Sequence, residues 1–181
     1  MKKVLLIAVV LALISGAAFA QESAGEIKAK IGIQMFQKIK PEGYDSEDVN
    51  TGFSLGAEYL YPVHEIIKVG AGVEYWFDRK IDDNPANVKF SQIPLYATAQ
   101  ICFPELKELY FKANLGWAFA QTKSDYGNGS GNGFLWGLGA GYELPYNIFA
   151  EAMYTMSYPK NDETKLTVGG FGINIGYRFG L

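Results

Sequence analysis

The sequence predicts an all-β fold, because two patterns run through almost the whole chain. The first is a period-two alternation of apolar and polar side chains, which is typical of β-strands because successive residues point to opposite faces. Residues 168–179 show it most clearly, since Phe, Ile and Tyr alternate there with Gly, Asn and Arg. The second pattern is glycine on the non-apolar face, where a water-facing strand would carry larger polar side chains. Together the two faces indicate a cramped polar interior and an apolar outer surface.

The first twenty residues predict a secretory signal peptide. Lys2 and Lys3 precede an apolar run over residues 4–14, and Ala18 and Ala20 form a small-residue cleavage pattern. An uncleaved membrane helix would need roughly 20 apolar residues. We therefore predict a signal peptide at residues 1–20 and one mature domain at residues 21–181.

The mature domain contains eight segments of about ten residues that repeat the alternation. These segments are residues 26–37, 53–61, 67–77, 92–101, 109–119, 134–144, 148–158 and 168–179. Long polar segments at about 39–51, 78–89, 121–132 and 159–165 alternate with short turns at 62–65, 104–108 and 145–147. Pro94 is irregular, because proline cannot donate to a strand ladder, and it predicts a strand start or a bulge.

An even number of such strands, joined alternately by short turns and long loops, predicts an eight-stranded antiparallel transmembrane up-and-down β-barrel. A sheet that crosses lipid must close on itself, because lipid offers no hydrogen bonds to a free edge. Aromatic residues also lie at both ends of the strands, as they do at membrane interfaces. At the long-loop ends they are Phe53, Tyr75, Phe77, Phe119, Phe134, Tyr154 and Tyr158, and at the short-turn ends Tyr59, Tyr61, Phe111, Tyr142 and Phe179.

The alternative all-β fold is a soluble, lipocalin-like barrel, which also has eight strands and is also exported. In that fold the polar face would lie in water, where the many glycines would have no purpose. An eight-stranded membrane barrel has an interior only just filled by side chains, and small inward residues are needed there. The glycines therefore favour the membrane barrel.

Three segments resemble the small eight-stranded outer-membrane barrels, which include opacity-type porin-family adhesins and the OmpA-like transmembrane domain. They are residues 92–100 (QIPLYATAQ), 137–143 (GLGAGYE) and 172–179 (GINIGYRF). The resemblance covers the mature chain and implies an integral location in the outer membrane. It also implies a terminal targeting strand carried by Ile173, Ile175, Tyr177 and Phe179. The family usually ends on that phenylalanine, whereas Gly180 and Leu181 follow it here.

Charged residues on the predicted inner face are the candidate site. They are Lys28, Lys30, Lys68, Lys112 and Arg178 with Glu58, Glu74, Glu143 and Glu151. Unpaired burial of charge is costly, so we expect these residues to form ion pairs in the lumen. The pairs would make a structural plug or, alternatively, a gated narrow conduit.

The sequence favours neither an enzyme nor a nucleic-acid-binding protein. Without Lys2 and Lys3 the chain has 14 basic and 19 acidic residues, and no basic stripe is present. His64, the only histidine, falls in a predicted short turn, away from Ser91 and Ser157, so no nucleophile and base share one rim. One Cys, Cys102, and one His give no zinc spacing. We expect no catalytic residue, no metal and no cofactor.

The sequence therefore predicts a non-enzymatic outer-membrane protein with a structural or surface-interaction role through its loops. A small low-conductance channel and an adhesin are the alternatives. The expected partners are outer-membrane lipid and lipopolysaccharide, the export and barrel-assembly machinery, and a surface ligand that the loops do not identify. The first long loop carries Glu42, Asp45, Glu47 and Asp48, which we interpret as a solvated acidic loop rather than a cation site.

Overall fold

The computed structural model describes residues 25–43, 45–81, 88–106, 108–124, 127–160 and 165–180. The predicted signal peptide lies outside the described residues. The strands are β1 (Glu26–Pro41), β2 (Glu47–Val49), β3 (Gly52–His64), β4 (Ile67–Lys80), β5 (Lys89–Cys102), β6 (Leu109–Ser124), β7 (Gly127–Glu143), β8 (Ile148–Ser157) and β9 (Leu166–Gly180). A short 3-10 helix (Pro145–Asn147) joins β7 to β8. No helix in these ranges is long and apolar enough to cross a membrane.

The eight long strands form a closed antiparallel ring, which confirms the predicted barrel. Each pairs with its neighbour along the chain, and β1 closes the ring against β9, from Glu26 opposite Gly180 to Pro41 opposite Leu166. β2 pairs with β1 beyond the point where β3 ends, and a backbone bridge joins its Val49 to Ile81. The alternating sequence is compatible with a closed barrel, because it gives every strand one face for the barrel interior and one for the surroundings.

The third predicted long loop is largely strand, and the first is partly strand. β1 continues to Pro41, and β2 occupies part of the first long loop. The third long loop is a hairpin in which β6 and β7 stay paired up to Ser124 opposite Gly127. The loop prediction was wrong there because residues rich in Gly, Asn and Ser give no apolar alternation. Backbone pairing needs no apolar side chain once a hairpin is already in register.

Pro94 lies inside β5, and the prediction that it starts a strand or marks a bulge was wrong. It pairs with Ala118 of β6, and the β4–β5 ladder omits the pairs between Val73 and Trp76 that would face it. The register shift between β4 and β5 falls later, between Trp76 and Arg79. The missing N–H is therefore accommodated by a gap in one ladder.

Two β-bulges near the long-loop end reverse the faces of β1 and β4. On β1 the register against β9 shifts between Met35 and Lys38, with Phe36 at a φ of 51°. On β4 the shift lies between Trp76 and Arg79. An inserted residue moves every later side chain to the opposite face. Beyond these points odd-numbered residues of β1 and β4 point inward.

The outer surface is apolar in its middle part, as a lipid-facing surface must be. Large aliphatic side chains stand out from the barrel, with Ile31 and Leu115 each 60% exposed. The aromatic residues predicted for the two interfaces also point outward, among them Phe53 and Phe77 at one end and Tyr61 and Phe111 at the other.

Inward glycines make room for inward rings on the neighbouring strand. Three such pairs are cross-strand partners: Gly72 with Tyr96, Gly141 with Tyr110, and Gly176 with Phe149. In each pair a Cβ on the glycine would overlap the ring. The rings are fully or almost fully buried. Glycine on the inner face is therefore what allows an eight-stranded barrel to be filled by aromatic side chains.

Candidate functional site

Five charged residues meet in the middle of the lumen and form what we call the central network. They are Lys30 of β1, Glu58 of β3, Glu74 of β4, Lys112 of β6 and Glu151 of β8. The Lys112 ammonium lies 2.5 Å from one Glu58 oxygen and 3.0 Å from Glu151. The Lys30 ammonium lies 2.6 Å from both Glu58 and Glu74. Side chains from opposite walls of the barrel are thus joined through its centre.

Two buried tyrosines complete the central network. The Tyr96 hydroxyl lies 2.7 Å from Glu58 and 2.8 Å from Glu74, so it bridges two carboxylates. The Tyr110 hydroxyl lies 2.8 Å from Glu151. Buried charges are tolerated when each is paired and its remaining hydrogen-bonding capacity is used. The two hydroxyls supply that additional bonding.

A second set of charges lies toward the short-turn end and is more exposed. Lys68 lies 3.0 Å from Glu26, and Arg178 lies 2.6 Å from Glu143 and 3.7 Å from Glu26. Lys28 lies on the long-loop side of this set. Its ammonium is 3.9 Å from Glu143 and 4.3 Å from the centre of the Tyr110 ring. Water reaches the second set in part, since the Arg178 side chain is 28% exposed.

All nine charged residues singled out in the sequence point into the lumen and take part in ion pairs. Two further inward charges are Glu26 and Arg79. Glu26 is even-numbered, like Lys28 and Lys30 on β1, so the alternation of faces alone could have indicated that it points inward. Arg79 gave no such signal, because it follows the β4 bulge in a segment predicted as loop.

Arg79 occupies the upper lumen, between the central network and the long-loop end. It is 3% exposed, and its Nη1 donates to the side-chain oxygen of Gln37. Its guanidinium carbon lies 5.3 Å from the centre of the Trp76 ring and 5.7 Å from that of Phe90. No ion pair involves it among the described residues. The absence of a Cβ at Gly52 accommodates the aliphatic part of its side chain.

A buried apolar cluster closes the lumen above Arg79, and we call it the apolar cap. It consists of Ile39, Val49, Ile81, Phe90, Ala120 and Val168, with Val88 and Leu166 packed against it. Both bulges contribute to the cap, because they turn Ile39 and Ile81 inward. The interior therefore has an ionic middle and an apolar upper end.

Outside the lumen, the long-loop end carries a polar cleft of about 480 Å³. Its lining comprises Phe119, Ala120, Gln121, Ser130, Gly131, Asn132 and Lys160. The cleft lies where β8 has ended and β7 continues, held by the backbone bridge of Asn132 with Lys160. Amide, hydroxyl and ammonium groups can hydrogen-bond a polar ligand there.

The other residues singled out in the sequence lie outside the two sets of lumen charges. Ile173, Ile175, Tyr177 and Phe179 point outward from β9, the strand that closes the ring. His64 is exposed in the β3–β4 turn, where its Nδ1 accepts from the Ile66 amide at 3.5 Å. The Ser157 hydroxyl donates to Gln92 in the upper lumen, and Cys102 is a half-buried free thiol. Among the described residues, no group of three or more His, Cys, Asp or Glu side chains is arranged to hold a metal ion.

The sequence matches the family model described as the outer membrane protein beta-barrel domain over residues 6–179. The chain belongs to this family. It is accordingly an integral protein of the outer membrane. Barrels of this kind have their short turns on the periplasmic side and their longer loops outside the cell. No curated protein matches the sequence.

Solved outer-membrane barrels share the fold. Ail, the attachment invasion locus protein of Yersinia pestis, is 20% identical with a TM-score of 0.60, covering 87% of this chain and 100% of Ail. Neisserial surface protein A is 16% identical with a TM-score of 0.58, covering 87% and 98% of the two chains. The N-terminal barrel domain of Pseudomonas aeruginosa OprF is 15% identical with a TM-score of 0.51, covering 88% and 100%. At these identities the similarity concerns the fold.

Proposed function

We propose that this protein is a non-enzymatic surface protein whose lumen is a structural plug and whose extracellular end makes the functional contacts. The observation that carries the proposal is the central network, in which Lys30 and Lys112 hold three carboxylates from different walls at 2.5–3.0 Å. A pore would need these pairs to separate, and separating buried ion pairs leaves uncompensated charge. The plug leaves the extracellular surface as the part available to other molecules.

The extracellular end is built as a rigid platform. The β6–β7 hairpin continues in register to Ser124 and Gly127, and it forms one wall of the cleft beside Lys160. Rigid elements that carry exposed polar groups are a common way to position binding contacts. The cleft residues Gln121, Ser130 and Asn132 are the groups we assign to a polar surface ligand.

Planar-bilayer conductance of refolded residues 21–181 tests the plug. Heat-modifiable mobility on gels shows that the sample is folded. A folded barrel with a silent bilayer is the expected result, and discrete, reproducible channel steps would overturn it.

Register-preserving shortening of the β6–β7 hairpin tests the surface role. Deleting Gln121, Thr122, Gly129 and Ser130 removes two cross-strand pairs while keeping the side-chain alternation and the turn. Cells displaying the shortened protein should lose adhesion to other cells or to immobilised heparin, a polysaccharide whose analogue sucrose octasulfate is bound in a structure of Ail. Unchanged adhesion, with insertion intact, would contradict the surface proposal.

A low-conductance channel is the second candidate, favoured by buried polar atoms that lack partners in the lumen. They include the Gln92 and Gln100 amide nitrogens and the Thr98 hydroxyl. Such groups are normally satisfied by water, and a chain of waters around the central network would conduct weakly. In that case Glu74→Ala or Arg178→Ala would raise the conductance, and unchanged conductance in both variants would contradict gating by the ion pairs.

Export and assembly complete the proposal. Residues 1–20 would be removed as a signal peptide, and β9 would be read by the barrel-assembly machinery through Ile173, Ile175, Tyr177 and Phe179. The alternation of these residues on the lipid face of the closing strand supports this role. Mass determination of the protein from outer membranes should give a chain that begins at Gln21, and retention of Met1 would contradict the cleavage.

A further inference from the structure

Arg79 upsets an otherwise exact balance of charge among the described lumen residues. The other cations there are Lys28, Lys30, Lys68, Lys112 and Arg178, and the carboxylates are Glu26, Glu58, Glu74, Glu143 and Glu151. Five positive charges thus face five negative ones, and Arg79 adds a sixth positive charge that is 3% exposed. A buried charge without a compensating partner is strongly unfavourable, so this position calls for a negative charge.

The atoms around Arg79 that lack hydrogen-bond partners are donors. Its Nη1 donates to Gln37, while its Nε and Nη2 have no partner. The Gln37 side-chain oxygen is occupied by Arg79, and its Nε2 is also without a partner. Gln92 repeats the arrangement, since its oxygen accepts from Ser157 and its Nε2 is unpartnered. Gln92 lies opposite Trp76 in the β4–β5 ladder, and Arg79 stacks on Trp76.

We propose that the upper lumen binds a small inorganic anion such as chloride on the free Nε–Nη2 edge of Arg79. This edge presents two parallel N–H groups, the arrangement with which arginine binds anions. A site whose unpartnered atoms are donors suits an anion, which only accepts, better than water, which must also donate. Bound chloride would bring the described lumen to electrical neutrality. This inference does not depend on the proposed surface role.

The surroundings restrict the size of the anion. The Trp76 and Phe90 rings flank the guanidinium at 5.3 and 5.7 Å, and the apolar cap lies above it. Gly52 holds the aliphatic part of Arg79 from the β3 side. A monatomic ion fits between these groups more readily than a phosphate or a sugar acid.

Iodide quenching of Trp76 fluorescence tests the site, since Trp76 contacts the guanidinium. The chain has three tryptophans, and Trp117→Phe/Trp136→Phe leaves Trp76 as the only reporter. In the refolded protein we expect quenching that saturates with iodide and is relieved by chloride at constant ionic strength. Purely linear quenching that chloride does not relieve would overturn the proposal.

Arg79→Met should abolish the saturable quenching, because it removes the guanidinium N–H groups and the charge but keeps an unbranched side chain. Lys80→Met is the matched control, since Lys80 is the next residue, carries the same charge and points outward. Lys80→Met should retain the iodide affinity of the parent protein. Equal loss of saturable quenching in both variants would overturn the proposal, because it would show that the positive charge of the barrel end attracts iodide without a specific site. The chloride competition on the Trp117→Phe/Trp136→Phe protein keeps the proposal testable if Arg79→Met fails to fold.

Carboxylates of the chain itself are the remaining alternative to an external anion. Asp82 and Asp83 follow Arg79 closely in sequence, outside the described residues. In Asp82→Asn/Asp83→Asn the saturable quenching should match that of the parent protein. Quenching that appears only in this double variant would overturn the proposal, because it would show that these carboxylates occupy the guanidinium edge.

Discussion

Arg79 donates a hydrogen bond to Gln37 only because each of the two residues follows a β-bulge. The bulges lie on β1 and β4, which are separated in the ring by β3. Uninterrupted alternation would point Gln37 and Arg79 outward and turn Lys38 and Lys80 into the lumen. The bulges exchange these positions, so the upper lumen contains one cation and the apolar cap instead of a cluster of lysines.

Cysteine labelling can verify this exchange of faces. In a Cys102→Ser background, Lys38→Cys and Lys80→Cys should react rapidly with a membrane-impermeant maleimide added to intact cells. Gln37→Cys and Arg79→Cys should react slowly, because both positions are buried. Gel mobility of each labelled variant controls for folding. The opposite order of rates would indicate that the alternation continues without bulges.

Alternation was sufficient to predict the barrel and the inward position of nine charged residues, because each strand here separates a lipid face from an interior. It could not give the partners of those charges. Lys112 pairs with Glu58 and Glu151, which lie on strands that are not its neighbours, and such contacts depend on barrel closure and tilt. Arg79 was missed because a bulge changes parity without leaving a recognisable residue pattern, and the β6–β7 hairpin because its small polar residues resemble a loop.

Filling the space beside a buried ring should destabilise the barrel. Gly141→Val places a branched side chain where the Tyr110 ring lies, so it should lower the free energy of unfolding by about 1–3 kcal/mol. Ala140→Val is the control, since Ala140 points outward beside Phe111 and its extra methyl groups enter lipid. Urea unfolding in lipid vesicles measures both. Similar losses in the two variants would mean that strand propensity, not the Tyr110 contact, sets the effect.

The exposed ion pair of Lys123 with Asp78 should contribute little to stability. Its atoms lie 2.8 Å apart, but the two side chains are 49% and 36% exposed. Water and salt screen such pairs, so Lys123→Met should change the free energy of unfolding by less than about 1 kcal/mol. The same urea titration at low and high salt checks this. A larger, salt-independent loss would indicate that Lys123 has a packing role at the barrel end.

Removing Lys112 should be far more damaging, because its ammonium contacts Glu58 and Glu151 in a fully buried position. Lys112→Met keeps the length of the side chain but leaves the carboxylates short of a counter-charge, a change that costs about 3–5 kcal/mol in buried pairs. Arg178→Met is the matched variant at the partly exposed periplasmic end, where water can solvate Glu143 and the loss should be smaller. Adding Glu151→Gln to Lys112→Met should restore part of the stability, since it removes one of the uncompensated charges. Equal losses in Lys112→Met and Arg178→Met, with no recovery in the double variant, would show that the central network does not hold the barrel walls together.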